Sequence, residues 1–457
     1  MNSFASIVES ISAFLWGWPM IALLFGTHIY LTILLKFPQR KIFTAIKLSV
    51  TKDKDGSGDV SQFGALATAL AATIGTGNIV GVATAVALGG PGAVLWCWLT
   101  GVLGIATKYS EGLLSIKYRV KTSDGTMLGG PMYALERGLN MKWLAVIFCI
   151  FTAVAAFGIG NTVQANSIAM IVNETYAIPT YITGILLSIS TALVILFGIK
   201  GIARVCEMLV PFMAIFYILG CLIILYLNAP FLKDTLILIF ESAFSAKAAG
   251  AGFVGTTIMM AARFGIARGL FSNESGLGSA PIVAAAAKTR NPVRQALVSS
   301  TGTFWDTVVV CALTGLVIVS TIIAYPEIDH TQGAALTKVA FSKVPFGSII
   351  LTIGILTFAF STILGWSYYG EKAVEYLGGK KYIFAYRIAW IIAVFLGSVV
   401  NLALIWNIAD SMNALMAIPN LIAILLLSKV LVKETKKYLW SDNLEMADTE
   451  EIPTIYK

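Results

Sequence analysis

The chain has 457 residues, of which 57% are hydrophobic and 12% are charged, whereas soluble globular domains average about 45–50% and about 25%. Its mean hydropathy of +0.82 is too high for a single membrane anchor, because one spanning helix needs only about 20 residues. The composition therefore excludes a water-soluble enzyme and predicts that most of the chain lies in lipid.

The basic residues and the cysteines do not indicate a nucleic-acid or zinc partner. The 32 basic and 24 acidic residues leave a net charge of +8, and in a membrane protein such an excess is typical of cytoplasmic loops. The cysteines stand singly within apolar runs, at Cys97, Cys149, Cys206, Cys221 and Cys311. We therefore expect buried thiols, with no disulfide framework, no zinc site and no nucleic-acid partner.

Apolar runs long enough to cross a bilayer recur along the whole sequence. They are centred near residues 24, 75, 103, 157, 188, 217, 267, 309, 361, 393 and 418. This pattern predicts an all-α polytopic membrane protein with about eleven transmembrane helices, in a single domain over residues 1–457. The first run has no basic segment before it and no clear cleavage site, so residues 12–36 are interpreted as a retained span.

The connections between these runs alternate in charge. Basic side chains concentrate in every second connection, at Lys47, Lys52, Lys54, Lys117, Arg119, Lys121, Lys200, Arg204, Lys288, Arg290, Arg294, Lys380, Lys381, Lys433, Lys436 and Lys437. The intervening connections hold Lys233, Lys247, Lys338 and Lys343. This bias predicts a plasma-membrane protein with its N-terminus outside and a cytoplasmic C-terminal tail over residues 431–457.

Residues 231–247 are too short and too charged to span the membrane. Their pattern predicts an amphipathic helix that lies on the outer surface. The alternative is a poorly ordered loop.

Helix-breaking and polar residues occupy the middle of two predicted spans. The second span carries Gly75 to Asn78, and the seventh carries Gly269 to Gly276. Irregular backbone and charged groups at membrane depth are tolerated where they face protein or a water-filled cavity. We therefore expect both breaks to line one central site. Close helix packing is the alternative role of the glycines, but packing does not explain Asn78, Asn273 or Glu274.

The positions of the two breaks suggest an internal repeat. The interrupted spans are the first members of two consecutive five-span blocks, over residues 61–229 and 249–430. An odd number of spans gives the two blocks opposite orientations, which is the arrangement of an inverted-repeat transporter. No residue-by-residue repeat is visible, so this prediction depends on topology.

Three motifs resemble the alanine/glycine:cation symporter family. They are GTGNIVG at Gly75–Gly81, GGPGAVLWCW at Gly89–Trp98 and RGLFSNESGLGSAP at Arg268–Pro281. Leu95 and Cys97 depart from this pattern, since Phe and Met are more usual there. The likeness extends from about residue 60 to the last span, and the longest motif is the most specific.

The resemblance implies a fold of the leucine-transporter type, with ten core spans and one extra N-terminal span. It also implies sodium-coupled uptake of small neutral amino acids, with L-alanine, D-alanine and glycine as candidates. Sodium would be a co-transported ion, and no organic cofactor is implied. The alternative is a sodium-independent amino-acid exchanger of the same fold.

Two other functional classes find no support in the sequence. A channel would need a repeated pore segment or a ring of charge, and neither is visible. An enzyme would need a nucleophile with a base or a metal cluster, yet His330 falls in a predicted outer loop and His28 is the only other histidine. We therefore expect no enzymatic activity.

The two breaks can bind the charged ends of an amino acid. The amides at the helix restart of Thr76, Gly77 and Asn78 lack internal partners and carry partial positive charge, which suits a carboxylate. The carbonyl groups near Arg268 to Phe271 could accept from the ammonium. Ser272 and Asn273, in the second break, are further substrate candidates.

The family's fold implies a first sodium site from the Ala71 and Ile74 carbonyls with the hydroxyls of Ser361 and Thr362. Sodium, like calcium, prefers hard oxygen ligands. Hydrogen bonds from these hydroxyls to the preceding helical turn are the alternative.

A second sodium site would use Thr73, Asn78, Asp306 and a residue of the Ser272–Asn273 break. An unpaired Asp306 carboxylate would be costly at membrane depth. The alternative is an ion pair of Asp306 with Arg263 or Arg268.

Three further side chains are candidates for the substrate pocket. Gln164 is the substrate candidate within a polar cluster that also holds Asn161, Thr162 and Asn166, although such clusters also join helices. Phe271 and Trp366 could wall a small side-chain pocket, with ordinary core packing as the alternative. Glu274 could act as a ligand or cap the restarting helix.

Overall fold

The computed structural model describes residues 3–53, 56–245, 257–331, 333–400 and 403–455. Its α-helices are α1 (Ser3–Leu15), α2 (Trp18–Leu34), α3 (Ile42–Ser49), α4 (Gln62–Thr73), α5 (Val82–Gly89), α6 (Gly92–Lys117), α7 (Pro131–Tyr133), α8 (Lys142–Phe157), α9 (Val163–Tyr176), α10 (Thr180–Ile195), α11 (Gly198–Leu227), α12 (Leu232–Phe244), α13 (Ile258–Asn273), α14 (Pro281–Ala284), α15 (Pro292–Thr303), α16 (Ala312–Ala324), α17 (Leu336–Ser342), α18 (Gly347–Gly378), α19 (Ile383–Val399), α20 (Ala403–Leu426) and α21 (Ser428–Tyr438).

The long apolar helices confirm a mostly helical, multi-pass membrane protein. Within the described residues seven segments are long and apolar enough to span, namely Ser6–Leu34, Lys142–Tyr176, Gly198–Leu227, Pro292–Ala324, Gly347–Gly378, Lys380–Val399 and Trp406–Leu426. The bent pair of α4 with Gly77–Gly89 brings the number to eight, and α10 is a shorter apolar helix. The predicted spans near residues 103 and 267 lie on α6 and α13. The count of eleven remains a prediction.

The first predicted break is a real interruption. α4 ends at Thr73, Ile74 leaves the helical region with ψ 89, and a π-helical turn over Gly77–Gly81 leads into α5. The two halves are bent by 50°.

The cysteines are free and buried, as predicted, at Cys97, Cys149, Cys206, Cys221 and Cys311.

The second break lies later in the sequence than Gly269. α13 continues to Asn273, and the chain then turns through Glu274 at φ 53, Gly276 at φ 92 and Gly278 at φ 89 before α14. Glycine tolerates this left-handed backbone without a steric penalty. The predicted breaker Gly269 serves close packing instead, because a Cβ atom there would lie 2.1 Å from Oγ1 of Thr100 on α6.

Two long helices enclose the breaks. α6 packs against α13 and α15 on one side, and α18 packs against α4, α8 and α9 on the other. α4, α5 and α13 therefore lie in the interior of the helical bundle. This placement satisfies the requirement that irregular backbone at membrane depth faces protein.

The first predicted span and the predicted surface helix have different bounds in the structure. The predicted first span over residues 12–36 contains α2 and the end of α1, separated at Trp16 and Gly17. Residues 231–247 contain α12, which ends at Phe244. Lys54 and Lys247 lie outside the described residues, as does position 249, where the second repeat is predicted to start.

A small sheet departs from the predicted all-α class. β1 (Val120–Thr122) pairs antiparallel with β2 (Met127–Leu128), and β3 (Thr454–Ile455) pairs parallel with β1, with Lys121 opposite Thr454. The segment before β3 also forms ion pairs, Glu450 with Lys117 at 2.7 Å and Glu445 with Arg294 at 2.6 Å. The predicted tail is therefore folded against the loops that follow α6 and precede α15.

The ends of the two broken helices are joined by backbone hydrogen bonds. The amide of Asp59 donates to the carbonyl of Ala286 at 2.8 Å, and the amide of Lys288 donates to the carbonyl of Val60 at 2.8 Å. Gly58 allows this approach, because a Cβ atom there would lie 2.3 Å from the Lys288 nitrogen. The segment before α4 is thus fixed to the segment after α14.

Candidate functional site

The two interrupted helices adjoin each other at their breaks. A Cβ atom on Gly77 would lie 3.5 Å from Cδ1 of Phe271 and 3.5 Å from Cα of Ser272. The restart of the first broken helix therefore contacts the last turn of α13. This is the arrangement that the sequence predicts.

Asp306 connects both breaks through its buried carboxylate. Oδ1 accepts from Nδ2 of Asn78 at 2.7 Å, and Oδ2 accepts from Oγ of Ser272 at 3.1 Å and from Oγ1 of Thr307 at 2.6 Å. Hydrogen bonds to a charged acceptor are about twice as strong as neutral ones. Asn78 and Ser272, both predicted for the second sodium site, thus contact Asp306, and sodium binding there stays a prediction.

The arginine alternative for Asp306 does not hold. Arg268 is half-buried on α13 and lines a cavity together with Asp410 of α20. Arg263 lies over the ring of Phe264, 5.4 Å from its centroid. Three neutral donors, and no arginine among the described residues, surround the Asp306 carboxylate.

Cys311 is a neighbour of this cluster that the sequence reading assigned only to the core. Its Sγ lies 3.3 Å from Nδ2 of Asn78 and 3.3 Å from Oγ of Ser272. One helical turn separates it from Thr307. A single cysteine in an apolar run carries no signal of such a contact.

Two residues predicted for the first sodium site, Ala71 and Ser361, contact each other. Oγ of Ser361 donates to the Ala71 carbonyl at 3.1 Å and to the Phe358 carbonyl at 2.9 Å. Oγ1 of Thr362 donates to the Phe358 carbonyl at 2.9 Å. A Cβ atom on Gly75 would lie 2.6 Å from the same Oγ1 of Thr362. Both hydroxyls therefore back-bond within α18 and also face the end of α4.

The hydroxyl of Thr73 forms its hydrogen bonds within α4 and not with Asp306. Its hydroxyl donates to the Ala69 carbonyl at 3.1 Å, within its own helix. Ile74 caps α4, and its amide donates to the Leu70 carbonyl at 2.8 Å. The Ile74 carbonyl thus lies at the helix end, where an unsatisfied acceptor is expected.

The restart of the first broken helix presents backbone donors. The Gly75 amide donates to Oδ1 of Asn78 at 2.9 Å. Thr76 is the N-cap of the helical turn over Gly77–Gly81. Partial positive charge accumulates at such a helix start, and it suits an anion. The geometry is consistent with a carboxylate at Thr76 and Gly77.

The acceptor end of α13 differs from the prediction. Since α13 continues to Asn273, the carbonyls of Arg268 and Gly269 lie inside the helix. The Leu270 carbonyl accepts from the Glu274 amide at 3.1 Å, so the terminal carbonyls without a helical partner begin at Phe271. The side chain of Asn273 is occupied by the turn, where Oδ1 accepts from the Ser275 amide at 2.9 Å. Its Nδ2 donates to Oγ1 of Thr100 at 3.4 Å. This places Asn273 in the support of the break.

Glu274 and Trp366 form a pair behind the second break. Nε1 of Trp366 donates to Oε1 of Glu274 at 3.1 Å, and the Ser279 hydroxyl donates to Oε2. Glu274 therefore does not cap α14 with its side chain. Trp366 packs on Gly160, where a Cβ atom would lie 2.3 Å from Cβ of Trp366.

Gln164 is the member of its polar cluster that lies near the first break. A Cβ on Gly75 would lie 3.7 Å from Oε1 of Gln164, and that oxygen has no hydrogen-bond partner among the described residues. Asn161 and Asn166 instead donate to the carbonyls of Trp390 and Gly397 on α19. These two asparagines join helices.

Sequence reasoning missed the residues that hold the second break. Oε1 of Glu111 on α6 accepts from the amides of Gly276 at 3.1 Å and Gly278 at 3.0 Å. Nδ2 of Asn420 on α20 donates to the same oxygen at 2.8 Å. The signal available in the sequence was the pair of charges, Lys108 and Glu111, inside an apolar run.

A cavity of about 270 Å³ adjoins Phe271. Its lining includes Trp16, Arg268, Phe271 and Asp410. The rings of Trp16 and Phe271 meet edge to face at 6.1 Å, and Trp16 Nε1 donates to the Asp410 carbonyl at 3.1 Å. Phe271 thus adjoins both this cavity and Gly77 of the first break.

Comparison with known proteins identifies close relatives. The chain is 53% identical over 444 residues to the sodium/alanine symporter AgcS of Methanococcus maripaludis, covering 95% of this chain and 97% of that protein. It is 51% identical over 453 residues to an uncharacterized transporter of Haemophilus influenzae, covering 98% and 99%.

The fold has solved counterparts. MhsT in complex with L-phenylalanine superposes with a TM-score of 0.58 at 14% identity, covering 85% of this chain and 95% of that chain. This similarity shows a fold of the leucine-transporter type. Residues 1–451 match the sodium:alanine symporter family model. The chain therefore belongs to the sodium:alanine symporter family, whose members are transporters and not enzymes.

Proposed function

We propose that this protein carries alanine or glycine into the cell together with sodium by alternating access. The observation that carries the proposal is the Asp306 carboxylate, which accepts hydrogen bonds from Asn78 of one break and Ser272 of the other. A cation bound to Asp306 would therefore interact with residues of both broken helices. The name of the AgcS relative supports both sodium and alanine.

The substrate would lie between the breaks. Its carboxylate would bind the amides of Thr76 and Gly77, and its ammonium would face the terminal carbonyls of α13 and Oε1 of Gln164. Phe271 would close the side-chain pocket toward the cavity that Trp16 and Asp410 also line. In this assignment the helix start at Thr76 binds the carboxylate of the substrate, and the buried Oε1 of Gln164 accepts from its ammonium.

The proposed orientation places the N-terminus outside and the C-terminus in the cytoplasm. Loops with many basic residues meet on one face, where Lys117 contacts Glu450 and Lys380 pairs with Asp124 at 2.5 Å. On other loops, Lys343 pairs with Glu327 at 2.8 Å. The positive-inside rule then assigns the first face to the cytoplasm.

Binding of labelled alanine to the purified protein, titrated with sodium, tests the proposal. We expect alanine binding that rises with sodium, and uptake into proteoliposomes that requires an inward sodium gradient. Counterflow of alanine at full rate without sodium would contradict symport and favour the exchanger. Absence of alanine and glycine binding at any sodium concentration would contradict the substrate assignment.

Removing both hydroxyls that face α4 should weaken sodium coupling. We expect Ser361→Ala with Thr362→Ala to raise the sodium concentration for half-maximal uptake about tenfold, or about 1.4 kcal/mol. The matched control is Ser367→Ala, which removes a hydroxyl that bonds the Leu364 carbonyl further along α18. Equal sodium dependence in the double variant and the control would move the ion away from this site.

Shortening the aromatic side chain beside Gly77 should relax the size limit. We expect Phe271→Ala to admit leucine as a competitor of labelled alanine and to weaken alanine binding about tenfold, through lost contacts on one side. The control is Phe264→Ala, because Phe264 lies on the same helix and lines the same cavity as Phe271. If leucine does not compete in the folded Phe271 variant, the size filter lies elsewhere.

A further inference from the structure

Lys108 is a buried cation that the proposed substrate and sodium sites do not use. It lies on α6 with 3% of its surface exposed, and its Nζ has no hydrogen-bond partner among the described residues. A charged side chain at membrane depth is costly unless opposite charges compensate it. The position of Lys108 therefore indicates nearby acidic groups.

The face of α6 that carries Lys108 contacts the second break. A Cβ on Gly104 would lie 3.1 Å from Oγ of Ser275, and Glu111 binds the amides of Gly276 and Gly278. Residues three and four apart share a helix face, so Lys108 lies between these contacts. It lines a small internal space together with Thr73 of α4 and Pro281 of α14.

Three buried carboxylates lie on the elements around Lys108. Glu111, Glu274 and Asp306 each interact electrostatically with Lys108. Glu274 lies in the second break and Asp306 contacts residues of both broken helices, whereas Glu111 shares the helix of Lys108. The ammonium thus lies in the electrostatic field of these acidic groups without a hydrogen bond to any of them.

The charge balance of this region changes during the proposed transport cycle. The loaded carrier holds sodium, which offsets acidic charge, and an amino acid that is neutral overall. After release, Lys108 is the cation that remains among these carboxylates. Excess negative charge in a closed, low-dielectric interior opposes reorientation.

We propose that Lys108 compensates the buried carboxylates of the sodium-free protein and thereby permits the empty carrier to return. The proposal rests on the proposed sodium symport. It assigns Lys108 to the return step and not to substrate binding. Net uptake requires that step, whereas exchange of internal for external alanine does not.

Two flux measurements in proteoliposomes separate these modes. We expect K108M to reduce sodium-driven net uptake into alanine-free vesicles at least tenfold. Exchange of labelled for unlabelled alanine, with sodium on both sides, should stay within threefold of the parent. K108R keeps the charge, and we expect it to retain the parent ratio of net uptake to exchange.

A charge-balanced double variant provides the second test. K108M combined with E111Q removes one charge of each sign, while the glutamine carbonyl can still accept from Gly276 and Gly278. We expect its ratio of net uptake to exchange to return to within threefold of the parent. If K108M alone does not fold, as judged by size-exclusion chromatography, the double variant decides the question through the same ratio.

Other outcomes overturn the inference. Equal loss of net uptake and exchange in K108M would assign Lys108 to binding or stability, and unchanged net uptake would show that its charge is dispensable. A reduced ratio that persists in the double variant would also contradict charge compensation. A parent protein without sodium-dependent exchange would instead contradict the proposed function.

Discussion

Replacing Asp306 with asparagine is expected to raise the sodium concentration for half-maximal alanine binding at least hundredfold, about 2.8 kcal/mol. The carboxylate oxygens accept from Asn78, Ser272 and Thr307. Asparagine offers one acceptor oxygen and turns an NH₂ group toward donors, and a buried donor without an acceptor is costly. The negative charge that would attract sodium is also lost.

The control for Asp306 keeps the carboxylate and removes one donor. Thr307→Val should change the sodium requirement less than tenfold, because Asn78 and Ser272 still bind Asp306. Sodium titration of labelled-alanine binding, on variants that elute as single species, is the measurement. A folded Asp306→Asn protein with the parent's sodium dependence would remove Asp306 from the sodium site.

Replacing Glu111 with alanine is expected to destabilise the protein by about 3 kcal/mol or more. The amides of Gly276 and Gly278 and the side chain of Asn420 would lose a shared buried acceptor, and each unsatisfied group costs about 1–3 kcal/mol. Glu111→Gln keeps a carbonyl acceptor and should lose much less stability.

Thermal unfolding in detergent distinguishes the two Glu111 variants. The apparent melting temperature of Glu111→Ala should fall roughly 5 °C further than that of Glu111→Gln, since larger domains shift by only a few degrees per kcal/mol. Equal melting temperatures would mean that the turn at Gly276 and Gly278 is held by other contacts.

The sequence predicts both breaks and locates the first, whereas the second begins only at Glu274, within the predicted range of Gly269 to Gly276. Gly75 to Asn78 combines glycines with a polar side chain, and the helix does end just before it. In the second span Gly269 has the same appearance, yet it serves packing against Thr100. A glycine needed for close approach and a glycine needed for positive φ look identical in a single sequence.

The partners of the site residues could not be predicted, because they are distant along the chain. Asn78 and Asp306 are 228 positions apart, and Glu111 and Asn420 are 309 apart. Polar residues in apolar runs signal that partners exist, whereas only the fold decides which ones meet. The pairing of β1 with β3 escaped prediction for the same reason, since two-residue strands carry no periodic pattern.

The backbone bonds between the segments before α4 and after α14 provide an internal reporter of conformation. The amides of Asp59 and Lys288 donate across these segments, so separation of the two half-helices must expose both amides to solvent. Hydrogen–deuterium exchange at these positions would then follow the opening of this face directly, without a spectroscopic label. Comparing the exchange rates with and without sodium and alanine would show which ligands hold the face closed.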